Sequence, residues 1–248
     1  MIYSHSFKLI ALLAAQMLFI TPLFAVDDPI DSRGLNKTAA TTPISITGIN
    51  AHGLDKTYST AGFIDLTNAF FKKFGTNDRT CATCHVPTEG WVITPRGVKD
   101  RFDKTAGLDP LFRLVDGANS PLADVSTLEK RRKAYSMLLN KGNIRVGMGI
   151  PAGAEFELVQ VDDPYGFASA SELSLFRRPM PATNLRFLST VMWDGRETTN
   201  DDKSNDCLWG TTTCFSPVSY DLSTQANHAT LGHAEALADL NQAEREEI

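Results

Sequence analysis

The stretch Cys81-Ala82-Thr83-Cys84-His85 constrains this chain more than any other. Two thiols separated by two residues and followed at once by an imidazole have the spacing of covalent c-type haem attachment. The thiols add across the two vinyl groups on one porphyrin edge, and the adjoining imidazole turns under the ring to bind iron. Cys81 and Cys84 are therefore the expected attachment residues, and His85 the expected proximal ligand and the one metal ligand. Two other chemistries use paired cysteines. A redox Cys-x-x-Cys sits beside a strand-to-helix unit, whereas here a Phe-rich segment and a polar turn precede the motif. A zinc site needs two further ligands, and the only other cysteines, Cys207 and Cys214, stand far along the chain.

The compartment follows from the N-terminus. Residues 1–25 read as an export signal: Lys8 gives a positive start, Leu9 to Phe24 form an apolar run broken by Gln16 and Pro22, and Ala25 offers a small cleavage residue. No later run is long and apolar enough for a membrane span. The mature chain is thus expected to be soluble and periplasmic, where haem c is attached. An oxidising compartment also favours a disulfide between Cys207 and Cys214. The whole chain carries a net charge of −5 and no basic stripe, which argues against nucleic acid as a partner.

Residues 26–58 are rich in Thr, Asp, Gly and Ser and read as an extended lead-in, with His52 as a solvated loop histidine. From Ser59 the stripe Phe63, Leu66, Phe70 and Phe74 predicts an amphipathic helix ending at Gly75, an aromatic wall beside the motif. Residues 86–125 are punctuated by Gly and Pro and read as loop. Ser126, with Glu129, predicts a capping box opening a second helix that ends at Gly142. Short β-prone runs follow at 144–150, 155–161 and 172–176. A helix is expected from Asp221 or Ser223 through Gln225, His228, His233 and Glu235, and a last one from Asn241, capped by Glu244. The expected fold is mainly α, a cytochrome c-like helical domain with long loops and a small β-prone excursion over residues 59–248.

In order along the chain stand Cys81-x-x-Cys84-His85, a Pro-Thr/Asn segment at 181–184, Trp193-Asp194-Gly195-Arg196, and a Gln-bearing helix with a later acid. That combination resembles the N-terminal, peroxidatic half of the bacterial di-haem cytochrome c peroxidases and related protein-modifying di-haem enzymes. The resemblance implies a c-type haem oxidoreductase that reduces hydrogen peroxide or uses it to oxidise a partner. Its electron donor would be a small protein such as a cytochrome c or a cupredoxin. One haem c would be attached here, and a second would lie in a C-terminal domain missing from this chain, which would then be truncated.

By the same resemblance Trp193 would be the electron bridge between haems, against its reading as an ordinary core aromatic. Gln225 and Glu235 would be the distal glutamine and the distal acid. Residues 233 and 235 point about 200° apart on a regular helix, so His233 and Glu235 cannot both face one iron. Glu235 is the expected acid/base group, with His233 the alternative, as acid/base group or iron ligand. Three departures bear on the site. No histidine occurs between Val86 and Asn227, so the gating histidine of many relatives is missing; Met148, Met180 and Met192 are then candidate sixth ligands beside their reading as packing residues. Arg177 and Arg178 stand where many relatives have a calcium-binding asparagine, which makes calcium doubtful. The second haem domain is absent, so the alternative function is a mono-haem periplasmic electron-transfer cytochrome without peroxidase activity.

Overall fold

Proline, glycine and side chains that bond their own backbone cut this chain into short elements. The computed structural model describes residues 43–50, 53–199 and 217–248, together with the backbone of 206–207 and 214–215. The export signal, His52 and the side chains of Cys207 and Cys214 lie outside the described residues, and the last two stand opposite each other in a two-residue strand pair.

The expectation of a mainly α domain is overturned. With the 3-10 turns included, helical residues make up 31% of the described chain and strands 14%, so the architecture is not clearly that of a mainly helical cytochrome. Three separate two-stranded antiparallel sheets accompany the helices among the described residues. β1 (Ser45–Asn50) pairs with β2 (Gly53–Tyr58) inside the stretch expected to be an extended lead-in. β3 (Ile144–Met148) pairs with β4 (Leu173–Arg177), and the β-prone run at 155–161 forms no strand. β5 (Asp206–Cys207) pairs with β6 (Cys214–Phe215).

The helix expected from Ser59 is replaced by bends and one 3-10 turn, Ala69–Phe71. Asp65 Oδ1 accepts from the Thr67 amide at 2.7 Å, and Asn68 caps the turn by accepting from the Phe70 amide. Such local side-chain bonds compete with the helical ladder. Phe70 and Phe71 are buried while Phe63 stays exposed, so the aromatic wall survives without the helix.

Conversely, the stretch read as loop contains α1 (Pro95–Thr105). Thr94 accepts from the Gly97 amide at 3.0 Å and Pro95 occupies the first turn, where its missing N–H costs nothing. α2 (Leu128–Ala134) and α3 (Ser136–Lys141) divide the second expected helix at Tyr135, and Thr127 rather than Ser126 is the cap. α4 (Val218–His233) starts before the expected Asp221, and α5 (Gln242–Glu247) carries the reciprocal Asn241–Glu244 box read from sequence.

Two apolar clusters meet at the Cys-x-x-Cys-His segment. Val98, Phe102, Leu111, Phe112, Tyr135 and Leu138 build one, with Cys84 and Val86 packed against it. Ile46, Ile64, Phe70, Phe71 and Trp91 build the other, with Cys81 and Ala82 against it. The end of α4 approaches Gly75 so closely that a Cβ there would run into the Ala234 carbonyl. Overpacking of this kind costs about 1–3 kcal/mol. Gly75→Ala should therefore lower unfolding stability by about that amount in a denaturant titration, unlike the same change at Gly232, where a Cβ meets open space.

Candidate functional site

Cys81 begins a 3-10 turn, Cys81–Thr83, held by the Thr80–Thr83 capping box. The turn brings Cys81, Cys84 and His85 onto the wall of one cavity of about 580 Å³, within the range of small-molecule and cofactor sites. Phe70, Phe74, Ile144, Leu188 and Val191 supply apolar lining. From α4 come Leu222, Gln225, Ala226, Ala229 and His233, a stripe at the three-to-four-residue helical spacing.

His85 is oriented by main chain. Its Nδ1 lies 3.0 Å from the Trp91 carbonyl, which can only accept, so Nδ1 carries the proton and Nε2 is the nitrogen left for a metal. Burial lowers the His85 pKa, the Trp91 carbonyl opposes that, and the nearby His233 adds to it, with a net fall. A neutral imidazole is the ligand form a metal requires.

Burial pushes the Cys81 thiol up to about 11 and raises Cys84 as well. Redox-active Cys-x-x-Cys pairs depend on the opposite shift, and the two sulfurs are unbridged. No group of three or more His, Cys, Asp or Glu suited to a metal ion occurs among the described residues. Paired protonated thiols, one tautomer-fixed imidazole and an apolar cavity beside them fit a covalently held haem.

The helix expected to run through Glu235 ends at His233, so a regular helix does not relate the two residues, and it is His233 that reaches the cavity. His233 lines the cavity, while Glu235 falls beyond the helix end with φ 56°, exposed and absent from the cavity lining. The Glu235 carboxylate accepts instead from Asn77 Nδ2 at 2.9 Å. The expected distal acid is thus not brought together with His85. Gln225 is, and so is Trp193, which stands at the rim 65% exposed with its indole N–H donating to the Arg178 carbonyl at 3.3 Å. Trp193 is therefore not a core aromatic. Met180 and Met192 reach the lining and Met148 does not. His228 is exposed and pairs with Glu197.

Sequence reasoning missed Arg79 and Asp116. Arg79, buried two residues before the motif, donates from Nε to Pro110 O at 2.8 Å and from Nη2 to Leu111 O at 2.9 Å. Its Nη1 reaches both Asp116 Oδ2 at 2.7 Å and the His233 carbonyl at 2.9 Å. Asp116 Oδ2 also accepts from His233 Nδ1 at 2.7 Å. Burial is the largest influence on Asp116 and pushes its carboxyl up, but His233 and Arg79 together hold it below the ordinary value. Nothing local marks these residues as partners, since Asp116 is 37 positions from Arg79 and 117 from His233.

Comparison with protein families, curated proteins and solved structures finds no match for this chain.

Removing one partner of a buried ion pair costs about 3–5 kcal/mol because the other charge stays buried. Arg79→Met should show that loss by denaturant titration, and Arg79→Lys a smaller one, since lysine keeps charge but not the planar fork. The Asp116 carboxyl has a depressed value in the folded chain, so its stabilisation is complete above the unfolded value of about 3.9 and is lost as pH falls through the folded one. Stability measured against pH should lose that acid limb in Asp116→Asn.

Proposed function

We propose that this chain is a c-type haem oxidoreductase that reacts with hydrogen peroxide, reducing it or using it to oxidise a partner. The observation that carries the reading is the convergence of Cys81, Cys84 and a tautomer-fixed His85 on one apolar cavity. Export to the periplasm belongs to the same proposal, because attachment of this cofactor takes place there; so does an electron donor of the small cytochrome c or cupredoxin type. Among the described residues, no helix is long and apolar enough to cross a membrane.

A haem attached through Cys81 and Cys84 would supply a redox-active iron able to react with peroxide, and His85 would hold that iron through Nε2. The His85 Nδ1 donates to the Trp91 carbonyl. Phe70, Leu188 and Val191 keep water from the cavity wall. His233, with Nδ1 committed to Asp116, presents Nε2 as the basic atom that takes a proton from peroxide and returns it to the departing oxygen. Gln225, one helical face with His233, offers an amide to orient the bound oxygen atoms. Trp193 at the rim is the aromatic nearest solvent on this wall and the proposed route for electrons.

A second reading, a mono-haem electron carrier, draws on Met180 and Met192 in the same lining, since an axial methionine raises the potential and suits electron transfer. The two readings separate in one experiment. The chain is expressed in cells competent for cytochrome c maturation, its covalent haem is verified by mass, and the ferric spectrum is followed on mixing with peroxide. A high-spin haem that reacts supports the peroxidase; a low-spin, peroxide-inert one supports the carrier; a colourless exported protein overturns both. His233→Phe should slow the peroxide reaction by about 100-fold or more, whereas Glu235→Gln, altered outside the cavity, should leave it within about threefold.

A further inference from the structure

Resting on the reading of His233 as the proton acceptor, we propose that Asp116 is the positioning residue of this site, the buried carboxylate that fixes which nitrogen of His233 faces the cavity. His233 is the last residue of α4. Its side chain keeps 41% of its surface accessible, and its one hydrogen bond from the ring runs from Nδ1 to Asp116 Oδ2 at 2.7 Å. Without that bond the imidazole could turn about its side-chain torsions and carry its proton on either nitrogen. An ionised carboxylate only accepts, so the bond dictates a protonated Nδ1 and a basic Nε2.

Asp116 is suited to impose that choice because it cannot itself move. Its side chain is 3% accessible, its Oδ2 is held by Arg79 Nη1, and its main-chain carbonyl accepts from the Arg145 amide at 2.6 Å as β3 begins. Its other oxygen, Oδ1, is buried and has no hydrogen-bond partner among the described residues. An unsatisfied buried carboxylate oxygen is costly, and a purely structural partner for Arg79 would bring both oxygens into use. The single oxygen that is used instead serves guanidinium and imidazole together. The groups facing the ring are thus Asp116 below it, Arg79 behind Asp116, and His85 across the cavity.

The inference is tested on the haem-loaded protein in two ways. In the ferrous, carbon monoxide-bound form, nitrogen NMR of labelled histidine should show His233 protonated at Nδ1 and bare at Nε2 in the unaltered chain. This measurement needs no variant to fold, and a proton found on Nε2 overturns the proposal. Asp116→Leu removes the one oxygen that serves both Arg79 Nη1 and His233 Nδ1, so the ring loses the bond that fixes its orientation and its proton should spread over both nitrogens. The peroxide reaction should then slow towards the rate of His233→Phe, by about 100-fold. An Asp116→Leu protein with the original tautomer and the original rate overturns the role of Asp116 and leaves that of His233 intact. A His233→Phe protein that reacts at the original rate removes the proposed acceptor itself, and this inference with it.

Discussion

The guanidinium of Arg79 ties together three parts of the chain that lie far apart in sequence. It stands beside the Cys-x-x-Cys-His turn, receives two carbonyls and a carboxylate from the 110–116 loop, and closes on the last carbonyl of α4. Helix ends leave carbonyls without partners, and a cation there is favoured by the helix dipole. Arg79 and Asn77 both donate to the His233 carbonyl, so the end of α4 is bound by side chains from the segment leading into the motif. Arginine suits this place because its planar fork offers several donors in fixed directions and stays charged when buried.

That junction explains why two histidines line the cavity. The turn at Cys81–Thr83 presents His85, with Trp91 fixing its ring, and the end of α4 presents His233, with Asp116 fixing its ring. Each imidazole is held by an acceptor on its Nδ1, and the two acceptors differ in kind. A main-chain carbonyl orients without charge, whereas a buried carboxylate orients and favours a cationic partner. The contrast suits a ligand on one side and a proton carrier on the other.

The meeting of Cys81, Cys84 and His85 on one wall could be read before any fold was known, because their spacing lies within five consecutive residues. A helix carrying Gln225 and His233 was also readable, and the Asn241–Glu244 box marked α5 correctly. The aromatic stripe at 63–74 misled, since Asp65 and Asn68 bond their own backbone and stop a helix from forming. α1 was hidden by the glycines and prolines around it, although Thr94-Pro95 followed by Val98 and Phe102 carries a cap and a buried face. The helix expected from Ser59 failed and α1 was overlooked for the same reason: local bonds and turn residues decided both elements, and helical periodicity alone did not.

Sequence by itself determined the thiol and imidazole spacing and a helix carrying Gln225 and His233, with Glu235 close behind. Only the tertiary structure decided which of His233 and Glu235 faces the cavity, because the choice depends on where α4 ends against Gly75, Asn77 and Arg79. Only the tertiary structure revealed Asp116 behind His233, 117 positions away. Covalent spacing is a local property and survives in the order of residues, while a buried charge network is assembled from distant segments and exists only once they are packed.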